Sequence, residues 1–143
     1  MALDLSSLRS AIAQCDEALV YCTSDLAKQD PKLAQHLRAG AIQAFKFIYE
    51  LSVKMLKRYL EATEATPSQV DEMSFNELVR RGFEVGLLDA EIEAWKEFRK
   101  SRGSTSHAYD FAKAQAVFEK IPEFLSEAKF LLEQIRARQE KAT

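Results

Sequence analysis

The chain has 143 residues, 47% of them hydrophobic and 29% charged, with four glycines and three prolines; this is the size of one domain with its own core, and it argues against disorder beyond the ends. A formal net charge of −2 and a pI of about 5.8 exclude a protein that coats nucleic acid by overall charge, leaving only a local basic patch as a route to it. The opening MALDLSSLRS has no basic segment followed by an apolar run, and no uninterrupted apolar stretch of about 18 residues occurs, so neither a signal peptide nor a membrane span is expected and the cytoplasm is the default.

Leu5, Leu8, Ile12, Cys15, Leu19, Cys22 and Leu26 recur at intervals of three and four, the stripe of an amphipathic helix over about 4–28. Cys15 and Cys22 on that helix would lie roughly 10 Å apart along its axis. That exceeds the span of a disulfide, so both read as buried thiols. His36 and His107 are the only histidines, and with no C-x-x-C or H-x-x-x-H spacing no metal site or cofactor is expected.

Asp30 is a candidate N-cap for a helix whose first turn holds Pro31, where a fixed φ and a missing N–H do no harm. That helix runs to about Glu61. Its apolar residues, Phe45, Ile48, Leu51, Met55 and Leu56 among them, cover more than one stripe, which places it near the centre. His36, among Lys32, Gln35 and Arg38, reads as a solvated surface residue.

A loop follows over about 62–73, around Pro67. Ser74 and Glu77 then form a capping-box pattern opening a short helix with Phe75, Leu78, Val79 and Phe83, ended by Gly86. Asp89 is the candidate N-cap of the next helix, with Ile92, Trp95 and Phe98 on one side. From Phe111 to Ile135 the three-four spacing returns for about six turns, with a kink predicted at Pro122, whose missing N–H cannot bond the carbonyl of Phe118. No segment alternates as a strand does. The elements predict an all-α, antiparallel up-and-down bundle of four-helix type, with five helices of which two are short, in a single domain over 1–143.

Between the last two helices lies SRGSTSHAYD, residues 101–110. In one unbroken helix Arg102 and His107 would be rotated by about 140° and separated by roughly 7.5 Å of rise. Gly103, Ser104, Thr105 and Ser106 favour caps and turns, which predicts a break that returns Arg102 to His107 and leaves His107 in the first turn of the last helix, where an anion is favoured. Arg102 is permanently charged and can grip two phosphate oxygens, while a histidine can act as general base. Together they are the parts for metal-free RNA cleavage, in which a base takes the 2′-hydroxyl proton and a cation stabilises charge on the phosphorus oxygens. Lys96, Arg99 and Lys100, with Arg80 and Arg81, form a candidate basic patch. Arg99, Lys100, Ser104 and Ser106 are the candidate substrate-binding residues. The alternative is that the cations are a solvated face and that His107 bonds a loop carbonyl, since R-x-x-x-x-H is a short pattern.

RGSTSHAY at 102–109, preceded by W-x-x-F from Trp95 and by ELVRRGFEVGLLD, and with AFKFIYELSVKMLKRYLE at 44–61, resembles the minimal HEPN domain of the nucleotidyltransferase substrate-binding proteins, also described as HepT-like toxins. The likeness covers nearly the whole chain. It implies a small helical bundle similar to the C-terminal domain of kanamycin nucleotidyltransferase, usually dimeric and encoded beside a small nucleotidyltransferase. It further implies that Arg102 and His107 are the catalytic pair of a ribonuclease, commonly composed at a two-fold interface, and that Tyr109 is the residue a partner nucleotidyltransferase modifies with AMP to silence the toxin. The alternative role within the resemblance is a non-catalytic subunit that binds nucleotide or substrate for that partner. Where many relatives carry asparagine after the arginine, this chain has Gly103. Asp110 is a candidate to orient His107, or simply an acid favoured by a helix dipole.

Overall fold

A computed structural model describes residues 2–142. The described residues form seven α-helices and one 3-10 segment, with no strand: α1 (Ser6–Cys22), α2 (Asp25–Gln29), α3 (Pro31–Thr63), α4 (Pro67–Asp71), α5 (Phe75–Glu84), α6 (Ile92–Gly103), the 3-10 segment Ser104–His107, and α7 (Phe111–Ala142). No helix among them is long and apolar enough to cross a membrane. The fold is an all-α bundle.

Local chemistry sets most of the boundaries. The side chain of Asp30 accepts from the backbone N–H groups of Lys32 and Leu33 with Pro31 in the first turn of α3, and Ser74 accepts from that of Glu77 to open α5. Gly86 follows α5 at φ +81°, a left-handed conformation open to glycine at little steric cost. The first predicted helix is in fact two. The chain leaves α1 at Thr23, and Ser24 caps α2 by accepting from the N–H of Ala27. A side-chain oxygen that can satisfy a helix-end N–H outcompetes one more turn of the same stripe. The break turns Leu26 outward, 67% exposed, and buries Ala27 instead. The predicted loop over 62–73 contains α4, and α6 begins after Glu91 rather than at an Asp89 cap.

The three long helices pair as the stripes require. Leu3 meets Gln139 and Lys129 meets Asp16, so α1 runs antiparallel to α7. Arg38 meets Gln115 while Phe45 meets Phe124, so α3 and α7 run parallel. Trp95 meets Glu127 while Phe98 meets Phe124, which makes α6 antiparallel to α7. Phe124 is the hub: the rings of Phe98, Trp95 and Phe45 meet it edge-on at 5.0, 5.3 and 5.6 Å. Edge-to-face pairs add about 0.5–1.5 kcal/mol each beyond burial. Trp95, Phe98, Phe124 and Phe45 are fully buried, so α6, and with it the segment 101–107, is seated on α3 and α7. α7 continues through Pro122.

One buried acid completes this seat. Glu127, 4% exposed, accepts from the backbone N–H groups of Asp89 (3.0 Å) and Ala90 (3.0 Å to its nearer oxygen) and from the Trp95 indole N–H (2.6 Å). Burial holds its carboxyl above the usual range, and the three donors offset only part of that rise. The loop before α6, lacking a side-chain cap of its own, is thus held by a carboxylate from α7.

Candidate functional site

Residues 102–109 lie where α6 tightens rather than breaks. Gly103 keeps helical dihedrals, φ −62° and ψ −27°, and the coil narrows to 3-10 through His107. In a 3-10 turn residues i and i+3 eclipse, and Arg102 and Thr105 do so. The Thr105 hydroxyl donates to the Arg102 carbonyl at 2.8 Å, and an Arg102 guanidinium N–H reaches the Thr105 hydroxyl oxygen at 3.4 Å. The other end of the guanidinium pairs with Glu50 of α3 at 2.5 Å. Its Nε is buried without a hydrogen-bond partner among the described residues.

His107 turns elsewhere. Its Nδ1 lies 3.3 Å from the Tyr109 hydroxyl, with the two rings 5.9 Å apart and inclined at 67°. Tyr109 is 84% exposed. Arg102 and His107 are therefore not brought together within one chain: the helical steps between them leave the two side chains roughly half a turn apart around the axis. The predicted break would have reunited them, but glycine and serine tolerate a helical turn when both ends are anchored, as the aromatic seat and Glu50 anchor α6 here. Nor does His107 occupy the first turn of α7. Asp110 caps that helix by accepting from the Lys113 N–H at 3.2 Å, and its own N–H donates to the His107 carbonyl at 2.9 Å. The chain's own carboxylate fills the place predicted for an anion, and it caps instead of orienting His107.

The remaining candidates separate in the same way. Arg99 is exposed and stacks over Phe75 at 4.7 Å. Lys100 and Ser106 are exposed and Ser104 half-buried on the turn. Arg81 is tied to Glu64 and Glu84, and Lys96 pairs with Glu93, which shrinks the predicted basic patch. Cys15 is buried, its thiol pushed up to about 11 by burial, whereas Cys22 is only half-buried. Sequence reasoning missed Glu50 and Thr105 as partners of Arg102. It also passed over Arg38, whose guanidinium sits 4.5 Å above the ring of Phe111. Phe111 itself, counted in the core stripe of the last helix, is 67% exposed, because it is the first residue of α7 and faces the opening beside Arg38.

The chain belongs to the family described as nucleotidyltransferase substrate binding protein like, which matches residues 3–137. It is 37% identical over 138 residues to a probable ribonuclease HepT of Haemophilus influenzae, covering 95% of this chain and 94% of that protein. It also matches a solved Haemophilus influenzae structure, described as revealing the fold of a substrate binding domain of a nucleotidyltransferase, with a TM-score of 0.86 and 36% identity over 93% of this chain and 99% of that one.

Proposed function

We propose that this chain is a metal-independent endoribonuclease, the toxin of a toxin–antitoxin pair acting in the cytoplasm as a single-domain protein, and that its partner nucleotidyltransferase silences it by adding AMP to Tyr109. The observation that carries this reading is the contact between the His107 imidazole and the exposed Tyr109 hydroxyl at 3.3 Å. A group attached to that oxygen arrives within reach of the candidate base, bringing bulk and negative charge to it. The name of the Haemophilus relative, probable ribonuclease HepT, supports the same activity.

In the proposed reaction His107 takes the proton of a 2′-hydroxyl, and the freed oxygen attacks the adjacent phosphorus. The bond from phosphorus to the 5′-oxygen breaks, leaving a cyclic phosphate and a 5′-hydroxyl that receives a proton. Arg102 holds the phosphorus oxygens as charge builds on them. Arg99, Lys100, Ser104 and Ser106 line the approach as substrate-binding residues. Because Arg102 and His107 diverge within one chain, the reading requires a homodimer in which the arginine of one copy meets the histidine of the other across a two-fold axis. Silencing forms a bond from the Tyr109 oxygen to the α-phosphorus of ATP, releases pyrophosphate and removes the phenolic proton.

The test is cleavage of a labelled RNA in EDTA. Arg102→Ala and His107→Ala are each expected to lower the rate about 10²- to 10⁴-fold; equal rates in all three proteins overturn the assignment. Intact-mass measurement after co-expression with the partner enzyme should show one AMP increment, mapped to Tyr109 and lost in Tyr109→Phe.

A second reading, a non-catalytic subunit that binds nucleotide or substrate for the partner, is favoured by the Arg102–Glu50 pair, which already occupies the candidate phosphate-binding guanidinium, and by Gly103, which puts no polar side chain beside it. It predicts a stable complex with the nucleotidyltransferase and no cleavage by the purified protein.

A further inference from the structure

At the start of α7, between it, α3 and the end of α1, lies an open cavity of about 490 Å³. Its lining joins the apolar Cys22, Ala34 and Phe118 to Arg38, Phe111 and Gln115. Arg38 is the distinctive member. Its guanidinium carbon sits 4.5 Å over the Phe111 ring, its hydrogen bond goes to the neutral Gln115 side chain at 3.2 Å, and no carboxylate lies within ion-pairing distance of it among the described residues. Arg102, by contrast, already holds Glu50.

We propose that this cavity is a nucleobase site, in which the base of a nucleotide stacks on the Arg38–Phe111 platform. Three features select a base over other ligands. The platform joins an aromatic face to a guanidinium plane, the pairing that holds unstacked bases. The lining combines apolar side chains with amide and guanidinium groups, which match a flat heterocycle with hydrogen-bonding edges. Third, the uncompensated positive charge suits a ligand joined to phosphate. Phe111 also follows Tyr109 by two residues, a backbone span of at most about 7 Å, and both aromatics are exposed. A phosphate handled at His107 or carried on Tyr109 therefore has its neighbouring base within reach of the pocket. The inference rests on the reading that the turn handles RNA or AMP, and it adds where the base goes.

Binding tests it without cleavage, so that loss of nuclease activity and loss of this pocket are told apart. The probes are 5′-AMP, a 2′-O-methyl oligoadenosine decamer that cannot supply the attacking hydroxyl, and an abasic decamer of the same charge. Titrated calorimetrically against the wild-type protein, Phe111→Ala and Arg38→Gln, the oligoadenosine is expected to lose roughly 5- to 150-fold in affinity with Phe111→Ala, the range of one lost base stack. The abasic decamer should be unaffected by that change. Loss for the decamer alone assigns the pocket to a base of an RNA strand; loss for 5′-AMP as well assigns it to any adenine nucleotide, including one attached to Tyr109. Unchanged binding of both in Phe111→Ala and Arg38→Gln overturns the proposal. Phe111→Leu keeps apolar bulk without a ring and should show the same loss; if it binds like wild type, stacking is overturned even where the alanine variant folds poorly.

Discussion

Arg102 shows how much one side chain depends on a neighbour that no local pattern reveals. Its pair with Glu50 spans two helices and is partly exposed, 31% and 48% for the two side chains, so its stabilising effect is small, about 0–1 kcal/mol. Its effect on ligand binding is larger in principle, because a phosphate must compete with that carboxylate for the same guanidinium. Glu50→Gln keeps a hydrogen-bond acceptor and removes the charge. The expected outcome is a few-fold lower KM for RNA cleavage with the urea midpoint nearly unchanged, read from steady-state kinetics and an unfolding curve. A raised KM would mean that Glu50 aims the arginine instead of competing for its ligand. Gly103 offers a second probe, since a Cβ built there meets nothing within 4 Å. Gly103→Asn should fold at least as well as the native chain, helix propensity favouring asparagine slightly over glycine, and raised cleavage by it would assign the missing polar group a role. The Arg102 and His107 motif could be picked out by its spacing, but its partners could not: Thr105 reaches Arg102 only because the chain coils tightly where a break was predicted, Glu50 only because α3 packs beside α6, and Arg38 meets Phe111 only because α3 packs beside α7.

At the scale of elements, helix ends carrying a local signal were readable and those satisfied from a distance were not. Asp30 with Pro31, Ser74, and Gly86 each act within a few residues and stand where the pattern puts them. The start of α6 instead takes its hydrogen bonds from Glu127, more than 30 residues away, and in sequence that acid looks like any solvated position of an amphipathic helix. Its removal should be costly: Glu127→Ala leaves three donors unpaired in the interior and is expected to destabilise by about 2–5 kcal/mol. Glu127→Gln retains the shape but turns an amide N–H₂ toward a donor, with an expected cost of about 1–3 kcal/mol. Because burial raises the carboxyl in the folded state above its unfolded value, the native state binds the extra proton. The stability of the wild type relative to Glu127→Gln is therefore greatest near and below pH 4.5 and declines as the pH rises through the raised value. Urea unfolding of both proteins between pH 4 and about pH 7 checks the sign, and a difference that grows with pH would contradict it.

For the whole molecule, the divergence of Arg102 and His107 within one chain means that the proposed chemistry would depend on assembly. If the reactive pair forms across a two-fold axis, Arg102→Ala and His107→Ala proteins, each inactive, should complement one another after mixing and re-equilibration. Random exchange would restore about one quarter of wild-type activity, half the dimers carrying one intact site of two. No recovery, with exchange demonstrated by mass, would place the whole site inside one chain and require Arg102 to leave Glu50. The bundle class was readable because three-four stripes over three long segments have few ways to close. A two-fold contact of the kind proposed was not, since an apolar residue looks the same in sequence whether it meets its own chain or a second one.

The length of α3 has a bearing on what can engage this surface at once. One stiff rod carries both Arg38 and Glu50, twelve residues and so roughly 18 Å apart along its axis. It works as a ruler: the stacking platform stands at one mark and the tether of the catalytic candidate at another. With both sites as proposed, a lone mononucleotide would meet one mark at a time, whereas a strand of several nucleotides could touch both, and selection for extended substrates would then follow from the rod's rigidity without any reading of bases.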